Sequence, residues 1–434
     1  MFGGSVRPPS AREWSELDIP EHLRETNLRE GPPSARALER PFGRSATAAP
    51  SITLYRDHAA WCPYCQKTWM LLEEKRVPYR IEKINMACYG DKPRSFFDAQ
   101  PSGTLPAAEI DGSVLRSSDA IILAILDAPG DASLDARQHP RCSFLLDLER
   151  QHFSAWLRWL GGGEGDKSYF VQVLDAVEAA IEGPYFLGDF TFVDCMYAPF
   201  LERMAASLAY FKGWVARGAR ETTGDPDLDA WQRYPKLNAW FDAMETRPAY
   251  RATMSDWYTH AHDLPPQLGG CVSSRTAGAV EVRSDVDSWT SEAPRFEPLW
   301  PWVDDARKEA AARLVANGPN VAKFAARGAS APGFPPFRAE LADPNARPND
   351  RLLPAVDAFL RLVAENLLVR QHPGGDDGYA TAVSSLTTSD ARDLGKCVAY
   401  LRDRVGVPRD MSFPAARALR LECNALIDAL HGVH

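Results

Sequence analysis

Cys62-Pro63-Tyr64-Cys65 constrains this chain more than any other stretch. It stands between the short run Ile52, Thr53 and Leu54 and a helical pattern over 63–76, with Trp69, Leu71 and Leu72 on its apolar side. Aliphatic and β-branched residues suit a buried strand. Proline suits the first position of a helix, where its missing N–H costs nothing. The stretch 51–70 therefore predicts strand, turn and helix, with Trp61 closing the turn and Cys62 at or just before the helix N-terminus. There the unpaired N–H groups and the positive end of the helix dipole favour thiolate over thiol. Cys62 is then a nucleophile near neutral pH, and Cys65, one turn further in, is placed to be a resolving thiol.

A CxxC also occurs as half of a zinc site. A tetrahedral structural site needs four ligands, and the chain has no second CxxC and no HxxxH, so no metal is expected. His260 and His262 are expected in a turn before Pro265-Pro266. Eight cysteines over 434 residues are too sparse for a secreted disulfide scaffold and fit a reducing compartment, most of them filling core positions. A net charge of -9 argues against a general nucleic-acid binder, which needs clustered Lys and Arg. The longest apolar run, 120–126, is far short of a membrane span. Residues 1–50 mix both charges with many prolines, without an apolar h-region or the acid-poor composition of a transit peptide. They read as an extension, with residues 14–28 forming a helix or lying along another domain. Residence is expected to be cytoplasmic, or in the plastid stroma had a presequence been removed.

From residue 51 the pattern becomes regular. After the first helix, residues 78–86 form a second strand, parallel to the first by way of the crossover helix. A short helix over 93–99, strands over 107–110 and 113–116 around an Asp111-Gly112 turn, and a helix opening at Ser117-Ser118-Asp119 follow. The order βαβαββα is the thioredoxin-like arrangement. Downstream, 141–160, 169–181, 192–214 and 231–245 carry apolar residues at helical spacing. Thr191 and Asp194 form a capping box in which Asp replaces the usual Glu.

CPYC, TLP at 104–106, SSDAI at 117–121, the FLGDFTFVD cap and the YPKLNAWFDAMETRPAY helix together resemble a cytosolic-type glutathione transferase over about residues 51–260. With cysteine in the active-site turn, the chain is most similar to the omega, lambda and dehydroascorbate-reductase classes and to glutaredoxins. It also resembles transferase-domain proteins of photosynthetic organisms that carry an extra C-terminal region. The expected fold is α/β thioredoxin-like over 51–130, then all-α over 135–262, a linker over 263–292 and an additional helical domain over 293–434.

The resemblance implies catalysis by Cys62 and Cys65 with glutathione as cosubstrate. Pro106 matches the family's cis-proline, and Leu105 pairs its backbone with the cysteinyl part of glutathione. Ser118 matches the serine for the γ-glutamyl carboxylate, with Ser117 or Asp119 standing in for the family's preceding Glu, and Lys92 matches the lysine for the glycyl carboxylate. The dithiol CPYC leaves open whether turnover runs by mixed disulfide alone or also through a Cys62–Cys65 disulfide. Tyr64, Trp156, Trp159, Tyr197 and Arg203 are candidates to line an acceptor pocket, with core packing as the competing account of the aromatics.

Residues 293–434 contain four amphipathic helical stretches separated by Pro- and Gly-rich loops such as 331–337 and 372–378, and no catalytic motif. Their apolar faces need a partner surface, expected on the all-α half and away from Cys62. Two functions follow. One is a glutathione-dependent thiol transferase acting on small or protein disulfides, glutathionylated thiols or dehydroascorbate. The other is a scaffold or assembly subunit that binds a protein partner through 293–434. Homodimerisation is common among the proteins resembled.

Overall fold

The computed structural model describes residues 5–24, 31, 33–43, 52–218, 222–289, 294–298, 305–339, 341–369 and 379–433. The loop expected over 372–378 and the far end of the expected linker, 290–292, lie outside them. The chain divides into two compact units, one of 28–288 with 294–299, the other of 1–27 with 289–293 and 300–434.

The first unit begins with a sheet. β1 (Glu39–Arg40), β2 (Ile52–Asp57), β3 (Tyr79–Ile84), β4 (Ala107–Ile110) and β5 (Ser113–Leu115) lie in the order β1-β3-β2-β4-β5. β2 and β3 are parallel, with Leu54 opposite Ile81, and β4 runs antiparallel to β2, with Ala108 opposite Leu54. The parallel pair requires a crossover, supplied by α1 (Pro63–Lys75). Residues 65–73 of α1 are buried on every face, because the helix packs against both α3 (Ser118–Asp127) and the long α6 (Phe192–Lys212). The short α2 (Arg94–Ala99) places Phe96 against Ile84, Ala107 and Leu105.

The all-α part consists of α4 (Cys142–Gly161), α5 (Lys167–Ala180), α6, α7 (Pro235–Glu245), α8 (Pro248–Thr253), α9 (Trp257–Leu268) and α10 (Ala277–Val286). The Thr191 hydroxyl accepts from the Val193 N–H, and Asp194 Oδ2 accepts from the Thr191 N–H at 2.9 Å, which is the capping box read from sequence. Asp194 also accepts from the Phe186 N–H and from Trp240 Nε1, tying the start of α6 to α7.

Two expectations are corrected in this unit. The linker over 263–292 is largely helical: α9 runs to Leu268 and α10 packs on α6. The Thr276 hydroxyl caps α10, and Ala279, Val282 and Val286 recur on one buried face, a helical period within a polar composition. Gly213 ends α6 at φ +70, and a Cβ there would sit 2.5 Å from the Ala279 backbone nitrogen, so glycine lets the two helices approach. His260 and His262 therefore sit on a helix rather than in a turn, and Pro265 and Pro266 fall in its last turn, before Gly269 closes it in the left-handed region.

The extension over 1–50 is not one arm. Residues 31–43 belong to the first unit: Leu38 accepts from the Ile81 N–H, Ala35 accepts from Arg56, and the Arg40 guanidinium pairs with Glu73 at 2.9 Å in a buried site. Residues 5–24 belong to the second unit, where Trp14 lies along the helix Leu353–Val369 and short 3₁₀ turns at Trp14–Glu16 and Glu21–Leu23 stand instead of a continuous helix, the second of the two readings for this stretch.

The second unit is built on α11 (Ala306–Ala325), α12 (Leu353–Val369), α13 (Ala380–Val383), α14 (Thr388–Arg404) and α15 (Phe413–His431). α11 is kinked at Asn317, two residues before Pro319. The Trp14 ring lies over Gly318 so closely that any Cβ would overlap it, and its Nε1 donates to Asp357 at 2.9 Å. Among the described residues no helix is long and apolar enough to cross a membrane.

Candidate active site

Cys62 is the N-cap residue of α1 and Pro63 its first residue, as the motif requires. Both thiols are unbonded, Cys62 5% and Cys65 1% exposed. Burial first, then the hydrogen bond with Cys62, push the Cys65 thiol well above its ordinary value. Cys65 thus keeps its proton, while Cys62 is the sulfur placed at the helix end.

The Cys62 sulfur lies 4.0 Å from the Leu105 carbonyl oxygen, and the Leu105–Pro106 peptide is cis. Leu105 precedes the first paired residue of β4, Ala107, so its main chain is not engaged in the sheet. Lys92 donates to the Gly103 carbonyl at 2.5 Å in this same loop. Partial burial lowers the Lys92 pKa, against the attraction of the Cys65 and Cys62 sulfurs. Ser117 caps α3 by accepting from the Ala120 N–H, and Ser118 follows it, nearly buried. Asp119 pairs at 2.8 Å with Lys67 of α1, which joins the α3 N-terminus to the Cys62 helix. Partial burial acts to raise the Asp119 carboxyl, but the Lys67 bond outweighs it and holds the group below the usual range. The structure thus gathers Cys62, Cys65, Lys92, Leu105 and Pro106 around one turn and links Ser117, Ser118 and Asp119 to it through Lys67.

The acceptor pocket is corrected. Trp156 and Trp159 are each 1% exposed and Tyr197 is fully buried. Trp156 Nε1 donates to Ser207, the Trp159 ring packs on Phe170 and Trp214, and the Tyr197 hydroxyl donates to the Leu145 carbonyl. These helices bury their aromatic faces against each other. Arg203 is 1% exposed and lies behind the turn: it donates to the Trp61 and Pro199 carbonyls and to Gln66 Oε1, with its guanidinium 4.6 Å from the Trp61 ring centre. Tyr64 alone of the five is half-buried beside the cysteines. It meets Phe200 at 5.5 Å and Phe153 at 6.5 Å, and Arg150 covers both of those rings.

A buried network backs the turn, and sequence reading missed most of it. Trp61 Nε1 donates to His260 Nδ1 at 2.9 Å, which places the remaining ring proton on Nε2, 2.7 Å from Glu202 Oε1. Gln66 and the Ser255 N–H also donate to Glu202. Burial holds His260 below its ordinary value despite Glu202. Burial acts to raise Glu202, but its bond from His260 and nearby Arg203 keep it low, so a neutral imidazole meets a carboxylate.

Residues 61–128 match the family described as Glutathione S-transferase, N-terminal domain, and residues 162–243 match Glutathione S-transferase, C-terminal domain. This part of the chain belongs to the glutathione S-transferase superfamily. The chain is similar to glutathione S-transferase DHAR2 of Arabidopsis thaliana, 29% identical over 157 residues, 35% of this chain and 71% of that one. It is similar to glutathione S-transferase L3 of the same plant, 26% identical over 231 residues, 50% of this chain and 91% of that one. Among solved structures, glutathione transferase Omega 3C from Trametes versicolor is 25% identical with a TM-score of 0.42, covering 51% of this chain and 91% of that one. The transferase part fits the cysteine type, with Cys62 where the turn after β2 meets α1.

Proposed function

We propose that the chain is a glutathione-dependent thiol transferase in which the Cys62 thiolate is the nucleophile. What supports this most is the placement of Cys62 alone at the α1 N-terminus beside the Leu105 carbonyl, while Cys65 is buried and protonated. Cys62 attacks the disulfide sulfur of a glutathionylated acceptor, the acceptor sulfur leaves as thiolate, and glutathione remains bonded to Cys62. A second thiol then breaks that bond: glutathione releases glutathione disulfide and frees the Cys62 thiolate, whereas Cys65 releases reduced glutathione and leaves a Cys62–Cys65 disulfide.

In this reading glutathione lies along the Leu105 main chain. Its γ-glutamyl carboxylate meets the α3 N-terminus at Ser117, Ser118 and Asp119, where the helix N–H groups favour an anion, and its glycyl carboxylate meets Lys92. Fit to these residues rests on the Leu105 main chain, which lies outside the sheet pairing beside Cys62, and on a cation and a helix end in the same region. The acceptor, a disulfide, a glutathionylated thiol or dehydroascorbate, approaches over Tyr64, Phe153 and Arg150.

A glutathione-coupled disulfide assay tests the proposal. Cys62→Ser should abolish transfer, while Cys65→Ser keeps a substantial part of it, because glutathione can resolve the mixed disulfide. Equal activity of wild type and Cys62→Ser would refute it.

A further inference from the structure

Asp57 ends β2 at the foot of the Cys62 turn and is 1% exposed. Its Oδ2 accepts from the Trp61 N–H at 2.6 Å, while its Oδ1 is buried with no hydrogen-bond partner among the described residues. A buried carboxylate oxygen without a donor is costly and calls for a reason. One oxygen of Asp57 and the sulfurs of Cys62 and Cys65 all lie within 4.8 Å of one another. Cys65 is 1% exposed, and its burial holds the proton on the sulfur. If Cys65 is to act as a nucleophile, something inside the protein must take that proton.

We propose that Asp57 accepts the Cys65 proton as Cys65 attacks the mixed disulfide on Cys62, so that the pair resolves itself. This rests on the reading of Cys62 as the first nucleophile. In the step, Cys65 Sγ bonds to Cys62 Sγ and the bond from Cys62 Sγ to the bound thiol breaks. The departing sulfur takes the electron pair and leaves as a thiolate; Cys65 is oxidised, the departing sulfur is reduced, and the Cys65 proton passes to Asp57. When glutathione later reduces the Cys62–Cys65 disulfide, the proton returns to Cys65.

The surroundings suit such a step. The charges of Arg56 on the same strand, Lys92 from the loop after β3 and Arg203 on α6 all act on Asp57, and α1 contributes the second thiol while Cys62 caps it. Glu202, beside Arg203, is already occupied by His260, Gln66 and Ser255. These three cations favour one negative charge shared by the set, and passing the proton to Asp57 keeps the net charge of the pocket constant through the attack.

The test uses the full chain carrying Cys271→Ser, which removes the half-buried thiol outside the site. It is treated with the chromogenic disulfide dithiobis-nitrobenzoate and followed by stopped flow. The first thionitrobenzoate released reports Cys62 attack, and the second reports resolution by Cys65. Asp57→Asn, which keeps an oxygen for the Trp61 N–H and removes a negative charge beside Cys62, should release the first no more slowly than the wild type. It should release the second about 100-fold more slowly at neutral pH. That second rate should then climb with pH, as Cys65 has to lose its proton unaided, where the wild type is flat. Asp57→Glu, which restores a carboxyl, should recover the second release, and this arm decides the matter if the Asn variant does not fold. Second release at wild-type rate and with the wild-type pH profile in Asp57→Asn, or no recovery in Asp57→Glu, overturns the proposal. Absence of the first release from the wild type is a different failure, of the Cys62 reading itself, and takes this proposal with it.

Discussion

Arg203 shows what a single residue does that spacing cannot reveal. On a helix opposite the thiol turn it has the chemistry of an anion-binding pocket residue, yet the fold buries it and turns its donors onto the Trp61 and Pro199 carbonyls and Gln66. It stacks on Trp61 beside Glu202, so its charge is compensated where it lies. Breaking such an arrangement by removing one partner leaves the other charge uncompensated. Arg203→Met should therefore destabilise the protein by about 3 kcal/mol, read from urea denaturation, and lower the rate of Cys62 modification because the turn loses its support. Unchanged stability in that variant would mean that the network does not hold the turn. Cys62 and Cys65 were legible because proline and a helix start are local facts. Asp57, Glu202 and His260 were not, because they meet the turn from 5, 140 and 198 residues away in sequence, separations that follow from the numbering alone.

At the scale of elements, the cap at Thr191 and Asp194 was legible and the helix α10 was not. A capping box is written in four adjacent residues. α10 is written in three small apolar residues among Ser, Thr and charged neighbours, a stripe that gains stability only from the face of α6 it covers. The cap carries a pH dependence of known sign. Burial pushes the Asp194 carboxyl up to about 6, above its unfolded value, against the hydrogen bonds it accepts. A group raised on folding adds stability that is fully present below the unfolded value and is lost as pH rises through about 6. Comparing denaturation of the wild type with Asp194→Asn at pH 4 and pH 7 isolates this group. The wild-type advantage should shrink by about 2 to 3 kcal/mol toward pH 7. A difference independent of pH would show that Asp194 is ionised throughout.

For the whole molecule, the thioredoxin-like order and the all-α half were readable because strand and helix periods alternate there in the family's sequence. The division at the ends was not readable. Residues 31–43 add an edge strand through two backbone pairings, and residues 5–24 pack on α11 and α12 through Trp14, neither of which leaves a periodic pattern. The two units imply where the chain can be cut. A chain running from Leu28 to Leu299 should fold and keep thiol transfer. One that stops at Gly270 loses α10 and with it the burial of Ala279, Val282 and Val286, on the order of 4 kcal/mol. Thermal unfolding of the two fragments checks this, and equal midpoints would show that α10 adds nothing to the first unit.

The central claim is that Cys62 is the sulfur that takes up glutathione. It is tested most directly by incubating the Cys65→Ser chain with glutathione disulfide at neutral pH and mapping the adduct by mass spectrometry of its peptides. The account predicts one glutathionyl group, on Cys62, removed again by reduced glutathione. An unmodified Cys62, or an adduct found only on another cysteine, would contradict it.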